Sequence, residues 1–213
     1  MTSLDANTLT SLFERFADRF AAERDALIAL DGKVGDSDLG LTMSKAFAAA
    51  RDRVADLEAP DVATVMKQAG AAIAKAAPST MGTLMATGFM RGGKALDGAP
   101  ALDTAALAAF WRAYAEGVAQ RGKAQLGDKT VLDVLDPIAS AVEAQAGAGA
   151  DLGAAGRAGV EAAAAALEAT KSMVAQHGKA AAFGEKSRGF QDAGGTVACI
   201  LAEEMNAFLA AQA

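Results

Sequence analysis

The chain has 213 residues with a formal net charge of −6 and no basic stripe, which excludes nucleic acid as a main partner. Its single cysteine, Cys199, excludes an internal disulfide and, because it lies in an apolar run, is expected to be a buried inert thiol. The N-terminus lacks the layout of a signal peptide, and the longest uncharged run, residues 76–90, is too short to span a bilayer, so a cytoplasmic protein without a membrane segment is expected.

The first half of the chain has the apolar spacing of four amphipathic helices. The first extends over residues 8–29, and the second follows an aspartate-rich stretch at 31–40 and ends before Pro60. Asp61 is expected to cap the third helix. The fourth follows Pro78 and continues to about Leu96.

The second half predicts four further helices. The fifth is capped at Asp103, and the sixth begins near Val131, with Pro137 expected to kink it or to shift its start. Residues 147–159 resemble a flexible linker in their Gly/Ala composition, but Leu152, Val160, Ala164 and Leu167 indicate that a seventh helix soon resumes. The last helix begins near Val197. Because no stretch alternates apolar and polar residues as a strand does, we predict an all-α fold, an eight-helix antiparallel up-down barrel or bundle that forms one domain over residues 1–213.

Four glycine-containing loops share a composition rich in charged residues and small residues with hydroxyl groups. They span residues 31–40, 78–82, 122–130 and 179–195, after the first, third, fifth and seventh predicted helices. In an up-down bundle these loops all lie at the same end. Helix N-termini at that end would add partial positive charge that suits phosphate. The sequence therefore predicts a binding site in the loops at one end of the bundle.

The first of these loops, in the stretch ALDGKVGDSDLG at residues 29–40, carries three carboxylates, Asp31, Asp36 and Asp38. Converging carboxylates repel one another unless a cation lies between them, and oxygen ligands without neighbouring Cys or His suit Mg²⁺ or Ca²⁺ rather than zinc. The lone histidine, His177, has no metal-binding companions in the sequence and is expected to be a solvated loop residue. Two interpretations stay open at this point, a metal site and an Asp/Gly-rich surface turn.

Charge balance connects this loop to a nucleotide. Three ionised aspartates beside ATP bring together about seven negative charges, which would repel one another strongly without a metal. Two Mg²⁺ ions offset about four of these charges, and helix N-termini and lysines can offset the rest. Metal-dependent nucleotide binding is therefore a physical hypothesis for this sequence.

Four motifs then indicate a family. DGKVGDSDLG, PSTMGTL, GDKTVLD and GEKSRGFQDAGGT occur in the order and spacing of the nucleotide-binding L subunit of bacterial dihydroxyacetone kinase, which is also the C-terminal domain of single-chain dihydroxyacetone kinases. The chain resembles this family over nearly its whole length. The resemblance implies an eight-helix antiparallel barrel with an ADP/ATP–magnesium site at one end.

The resemblance also implies roles for particular residues. Asp31, Asp36 and Asp38 would hold two Mg²⁺ ions that bridge the nucleotide phosphates. It identifies no catalytic residue beyond this metal site. The nucleotide-binding positions would be Leu39, Gly40, Leu41, Thr42, Thr80, Met81, Gly122, Val131, Lys179, Asp192, Ala193 and Gly194.

The function implied by the resemblance is that of one subunit of a kinase for a short-chain ketose. A separate K subunit would hold the sugar, and an exposed apolar rim near the nucleotide end would dock that partner. The phosphoryl group would come either from free ATP or from bound ADP that a phosphotransferase-system protein recharges. This chain would supply nucleotide and metals, acting by positioning and charge neutralisation.

The sequence departs from the family at several nucleotide contacts. Ser37 and Leu39 stand where the family usually has Gly and His, Met81 replaces a serine before Gly82, and Lys179 replaces an arginine and so loses its planar bidentate grip. The acceptor therefore stays open between dihydroxyacetone and a related ketose such as erythrulose. Two other functions also stay open: a non-catalytic ADP–Mg-binding regulatory protein on the same fold, and a free-standing metal phosphohydrolase, which is disfavoured because no obvious base adjoins the aspartates.

Overall fold

The structure, a computed structural model, describes residues 3–212. Within these residues the chain forms nine α-helices, two very short strands and two 3-10 segments, which confirms the all-α prediction. The helices are α1 (Ala6–Ala22), α2 (Arg24–Asp31), α3 (Leu39–Ala55), α4 (Val62–Ala76), α5 (Thr80–Ala95), α6 (Thr104–Gly122), α7 (Leu132–Gly147), α8 (Leu152–Ala169) and α9 (Ala193–Ala211). The strands are β1 (Ser3–Leu4) and β2 (Leu102–Asp103), and the 3-10 segments are Thr170–Ser172 and Lys179–Ser187.

Two predictions for the start of the chain were wrong. The first helix is divided in two at Glu23, which joins the end of α1 to the start of α2. The expectation of no strand also fails, because β1 and β2 pair antiparallel with Ser3 opposite Asp103. Each strand has only two residues, too few to show an alternating pattern in the sequence.

The Gly/Ala-rich stretch at 147–159 is mostly helix and not a linker. Asp151 caps α8 by accepting a hydrogen bond from the backbone N–H of Ala154 at 2.7 Å, and Leu152 begins the helix fully buried. A Cβ built on Gly159 would lie 3.1 Å from Val142 of α7, so the small residue permits close approach of the two helices. Pro137 lies inside α7 and does not set its start.

The helices form a closed ring in which each helix from α3 to α9 packs against the next. Helix α1 contacts both α3 and α9 and so closes the ring. Aromatic side chains fill its interior around Phe89, whose ring centroid lies between 5.3 and 6.4 Å from the centroids of five others, those of Phe13, Phe16, Phe47, Phe110 and Tyr114. This aromatic core holds the helix ends, and the loops between them, in fixed relative positions.

The predicted helix caps at Asp61 and Asp103 are confirmed. Their carboxylates accept the backbone N–H groups of Thr64 and Ala106 at 2.6 and 2.8 Å. None of the described helices is long and apolar enough to cross a membrane. The assignment of residues 1–213 to one domain stays a prediction.

Candidate functional site

The four loops meet around a cavity of about 220 Å³ at one end of the helical ring. Every one of the four contributes to its wall, as the up-down arrangement predicted. The residues that line it include Asp31, Asp36, Asp38, Leu39, Ser79, Thr80, Met81, Lys129, His177, Lys179, Gln191, Asp192, Ala193 and Gly194.

The three predicted metal ligands converge at this cavity. Carboxylate oxygens of Asp31, Asp36 and Asp38 lie within 4.8 Å of one another. Asp31 is the last residue of α2, and its Oδ2 accepts the backbone N–H groups of Asp38 and Leu39 at 3.0 and 3.4 Å, which folds the loop back on the helix. Burial, and then repulsion from Asp36 and Asp31, raise the pKa of Asp38. A set of crowded oxygen donors of this kind fits a hard divalent cation.

The loop backbone is shaped closely around Asp31. A Cβ on Gly35 would overlap the Asp31 carboxylate, so glycine is required there. Ser37 adopts a left-handed conformation with φ of 63°, at the position where the resembled family has glycine. The serine therefore tolerates a backbone conformation that side chains disfavour by about 1–2 kcal/mol.

We expect Ser37→Gly to keep Mg²⁺ affinity within about twofold of the wild type, because glycine adopts the left-handed conformation freely. Ser37→Val should instead lower the free energy of unfolding by about 1–2 kcal/mol and weaken Mg²⁺ binding, since a β-branched residue is strained there. Urea unfolding in EDTA and calorimetric titration with Mg²⁺ measure the two effects. Equal affinities for the two variants would show that the left-handed turn does not position the aspartates.

Three helices begin at the cavity. Asp38 precedes α3, Ser79 caps α5 by accepting the N–H of Gly82 at 3.0 Å, and Asp192 caps α9 by accepting the N–H of Gly195 at 2.6 Å. The first turns of these helices contribute Leu39, Thr80, Met81, Ala193 and Gly194 to the wall. Helix N-termini carry partial positive charge and free N–H groups, so this wall is suited to an anion such as phosphate.

Asp192 combines the capping role with an unusual protonation equilibrium. Burial raises the pKa of Asp192 to about 7; repulsion from Asp133 adds to the rise, while the N–H of Gly195 and the charge of Lys129 oppose it. Because the folded-state pKa lies above the ordinary value, between these two values the folded protein holds a proton that the unfolded chain does not bind. Ionised Asp192 therefore costs stability, and the metal-free protein should gain stability as the pH falls through 7.

The variant Asp192→Asn tests this pH dependence, since asparagine also caps a helix but does not ionise. In urea unfolding with EDTA, the wild type should gain about 1 kcal/mol more than the variant between pH 8 and pH 6. Identical pH dependence in the two proteins would contradict the raised pKa.

Some predicted nucleotide-binding residues lie off the cavity wall. Gly40 and Thr42 follow Leu39 into α3, and the backbone of Gly40 packs against the carbonyl of Arg24. Leu41 is exposed and Val131 is buried behind Gly194. Gly122 lines an adjoining groove of about 660 Å³ that shares Ser79 and Thr80 with the cavity.

Several residues of this site were not predicted from the sequence. Lys129 is buried with its ammonium in hydrogen bonds to the segment before α9, and Gln191 lines the cavity. His177 is not simply solvated: its Nε2 lies 2.9 Å from Oδ2 of Asp128, and the ring lines the cavity. These contacts join loops about 50 residues apart, which local patterns do not reveal; the adjacent charges of Asp128 and Lys129 were the available signal.

Comparison with known proteins identifies the family. The model of the DAK2 domain matches residues 33–207. The chain belongs to the DAK2 domain family. The resemblance drawn from the four motifs is thereby confirmed.

The proteins similar to this chain differ in length. The ADP-binding subunit DhaL of the PEP-dependent dihydroxyacetone kinase of Escherichia coli (strain K12) is 30% identical over 194 residues, which cover 91% of this chain and 92% of that subunit. The D-erythrulose kinase of Mycolicibacterium smegmatis is also 30% identical, but this chain spans 33% of its length. The crystal structure of the native dihydroxyacetone kinase of C. freundii matches with a TM-score of 0.73 and 26% identity, over 97% of this chain and 35% of that one. This chain is thus similar both to a separate subunit of nearly its own length and to about a third of longer kinases.

Proposed function

We propose that this chain is the nucleotide- and magnesium-binding subunit of a kinase that phosphorylates a short-chain ketose of the dihydroxyacetone type. The observation that carries the proposal is the convergence of three aspartates and three helix N-termini on one cavity. The carboxylates suit divalent cations, the helix N-termini suit phosphate, and a metal–nucleotide complex needs both at close range. The similarity to an ADP-binding kinase subunit over nearly the full length of both chains supports the same assignment.

In this proposal Asp31, Asp36 and Asp38 hold two Mg²⁺ ions. Bound Mg²⁺ would neutralise phosphate charge and make transfer of the terminal phosphoryl group easier. Asp31 contributes in two ways, since its Oδ2 also fixes the loop through the N–H groups of Asp38 and Leu39. The loop thus holds the carboxylate oxygens of the three aspartates close to one another before the cations bind.

The rest of the nucleotide would lie between the helix starts and the adjoining groove. Thr80 and Met81 at the start of α5, and Ala193 and Gly194 at the start of α9, face the phosphates in this proposal. The groove at Gly122 adjoins the cavity through Ser79 and Thr80, so it is placed to receive the ribose and adenine. Val131 lies behind Gly194, on the α9 side of the cavity. Lys179, whose Nζ lies 3.4 Å from Oδ2 of Asp36, adds positive charge beside the aspartates.

The sugar would be held by a separate K subunit, which docks at the same end of the molecule. Four of the large apolar side chains that are exposed among the described residues lie in or beside the cavity loops: Leu41, Leu126, Phe183 and Phe190. Exposed apolar residues around a binding site are typical of a docking surface. A partner seated on them would bring a sugar hydroxyl to the terminal phosphate, whether that phosphate comes from free ATP or from bound ADP recharged by a phosphotransferase-system protein.

A second candidate function is a non-catalytic regulatory protein that binds ADP–Mg²⁺ on the same fold. The observation that favours it is Lys179, which stands where the resembled family has arginine and is mostly exposed, with its ammonium beside Asp36. A lysine offers phosphate a point charge without the bidentate grip of arginine. A lysine at this position therefore favours phosphoryl transfer less than an arginine would, and it is still compatible with nucleotide binding.

Phosphoryl transfer separates the two candidates. The chain is mixed with a K subunit, Mg²⁺ and ATP, and separately with ADP and a phosphotransferase-system donor, in the presence of dihydroxyacetone or erythrulose, and sugar phosphate is followed by ³¹P NMR. The kinase proposal predicts sugar phosphate only when both subunits are present and none with Asp36→Ala. Nucleotide binding without sugar phosphate in any combination would favour the regulatory protein, and ATP hydrolysis by the chain alone would contradict both.

A further inference from the structure

Lys129 is a buried cation in the loop between α6 and α7. The residue is 2% exposed, and its backbone is left-handed with φ of 58°. The ammonium donates hydrogen bonds to the carbonyl oxygens of Ser187 at 2.6 Å, Phe190 at 2.7 Å and Met173 at 3.2 Å. All three donors of the lysine are therefore used on the chain segment between α8 and α9.

That segment has little apolar anchoring of its own. Within residues 171–190, all of which the structure describes, only Ala175 and Ser187 are buried, while Phe183 and Phe190 are exposed. Polar bonds take the place of a core: Ser187 Oγ accepts the N–H of Ala175 at 3.0 Å and donates to the carbonyl of Gly184 at 2.7 Å. A segment of this kind owes its position to hydrogen bonds more than to apolar burial.

The loop that carries Lys129 is itself braced by carboxylates. Asp133 accepts the N–H groups of Gly127 and Thr130 at 2.5 and 2.7 Å. Asp128 accepts the N–H of Gln125 at 2.7 Å, and its carbonyl accepts the N–H of Gln176 at 3.0 Å. The ammonium of Lys129 thus extends from a rigid turn into the segment that must be positioned.

The pKa of Lys129 shows that burying its positive charge is unfavourable. Burial lowers the pKa of Lys129, the charge of Asp192 partly offsets that effect, and Arg188 adds to it. No carboxylate of the described residues accepts a hydrogen bond from its ammonium; the three acceptors are backbone carbonyls. An isolated buried lysine is unfavourable, so the three bonds it makes have to be intact for the charge to stay in place.

We propose that Lys129 is a positioning residue that clamps the 173–190 segment against the α6–α7 loop and so sets Lys179 and the start of α9 at the cavity wall. The segment carries Lys179 and leads directly into Gln191 and Asp192, both of which line the cavity. Without the clamp, the three carbonyls lose their donor and the wall loses its fixed position. The consequence for nucleotide binding rests on the function proposed above.

Lys129→Met tests the clamp, because methionine keeps an unbranched apolar stem and removes the three donors. Lys123→Met is the matched control: Lys123 lies in the same loop and is also left-handed, with φ of 55°, but is exposed. Hydrogen exchange followed by mass spectrometry should show at least about tenfold faster exchange across 173–190 in Lys129→Met, unchanged exchange in the α1 and α5 helices, and neither change in Lys123→Met. Unchanged exchange at 173–190 in Lys129→Met would overturn the clamp.

Calorimetric titration with ADP and Mg²⁺ measures the nucleotide affinity, which would not change if Lys129 had only a structural role. Lys129→Met should bind about 10- to 100-fold more weakly than Lys123→Met and the wild type. Faster exchange with unchanged affinity would overturn the positioning role.

If the wild type itself fails to bind ADP–Mg²⁺, the proposed function fails and the positioning role with it, while the exchange data still decide the clamp. If Lys129→Met does not fold, Lys129→Gln replaces it, because glutamine keeps an N–H donor. In that variant the exchange rate of residues 173–190 alone should lie between the rate of the wild type and that of the unfolded chain. A wild-type exchange rate in this segment would contradict the clamp.

Discussion

Replacing Asp36 by alanine is expected to abolish Mg²⁺-dependent nucleotide binding and to leave the helical circular dichroism intact. Asp36 lies in the loop between α2 and α3, outside both helices, and its carboxylate is one of the three that converge at the cavity. Loss of one of three charged ligands should weaken cation affinity by at least about 100-fold. The nucleotide phosphates would then face Asp31 and Asp38 without sufficient neutralisation.

Asp36→Ala weakens ligand binding but should not lower the stability of the metal-free protein. Repulsion from Asp36 contributes to the raised pKa of Asp38, so removal of Asp36 relieves the crowding of charge. The thermal midpoint in EDTA should therefore equal that of the wild type or exceed it. The control is Asp56→Ala, which removes the same charge from an exposed position at the far end of α3. If Asp36→Ala binds ADP–Mg²⁺ as Asp56→Ala does, the metal site is assigned to the wrong residues.

Replacing Gly35 by alanine should weaken Mg²⁺ binding about tenfold or more although no ligand is removed. The added Cβ would overlap the Asp31 carboxylate and lie 2.6 Å from the Asp31 backbone carbonyl. Either the carboxylate or the end of α2 must then move, with a cost of about 1–3 kcal/mol in the free energy of unfolding. Titration with Mg²⁺ and urea unfolding in EDTA measure the two consequences.

Gly147→Ala is the matched control for this prediction. Gly147 ends α7, and a Cβ built there meets no atom within 4 Å. The control should bind Mg²⁺ as the wild type does and unfold at the same or a slightly higher urea concentration, because alanine is favoured over glycine in a helix. Wild-type affinity in Gly35→Ala would mean that the position of Asp31 is not essential to the cation site.

The parts of this structure that sequence could predict are those with local causes. The helices follow from apolar periodicity, and the convergence of Asp31, Asp36 and Asp38 follows from glycines that let a short loop fold back. The division of the first helix at Glu23 could not be predicted in this way, because the residue itself is compatible with helix. The linker-like composition of residues 147–159 is misleading from Leu152 onward, because glycine and alanine serve equally in flexible chain and in closely packed helices.

Contacts between distant loops account for most of what was missed at the site. Lys129 donates hydrogen bonds to carbonyls 44 to 61 residues further along the chain. Because every residue has a backbone carbonyl, the sequence does not indicate which ones accept them. His177 similarly lies beside Asp128 across 49 residues. Of the residues implied by the family resemblance, those in the first turns of α5 and α9 line the cavity, whereas Gly40, Leu41 and Thr42, further along α3, do not.

Calorimetric titration of the wild-type chain with ADP, first with Mg²⁺ and then in EDTA, tests the central claim most directly. Three aspartates and three helix N-termini at one cavity predict tight binding that requires Mg²⁺ and disappears in EDTA. Binding of equal strength in EDTA would contradict the role of the aspartates. Absence of binding in both conditions would contradict the nucleotide site altogether and leave the DAK2 relationship as one of fold alone.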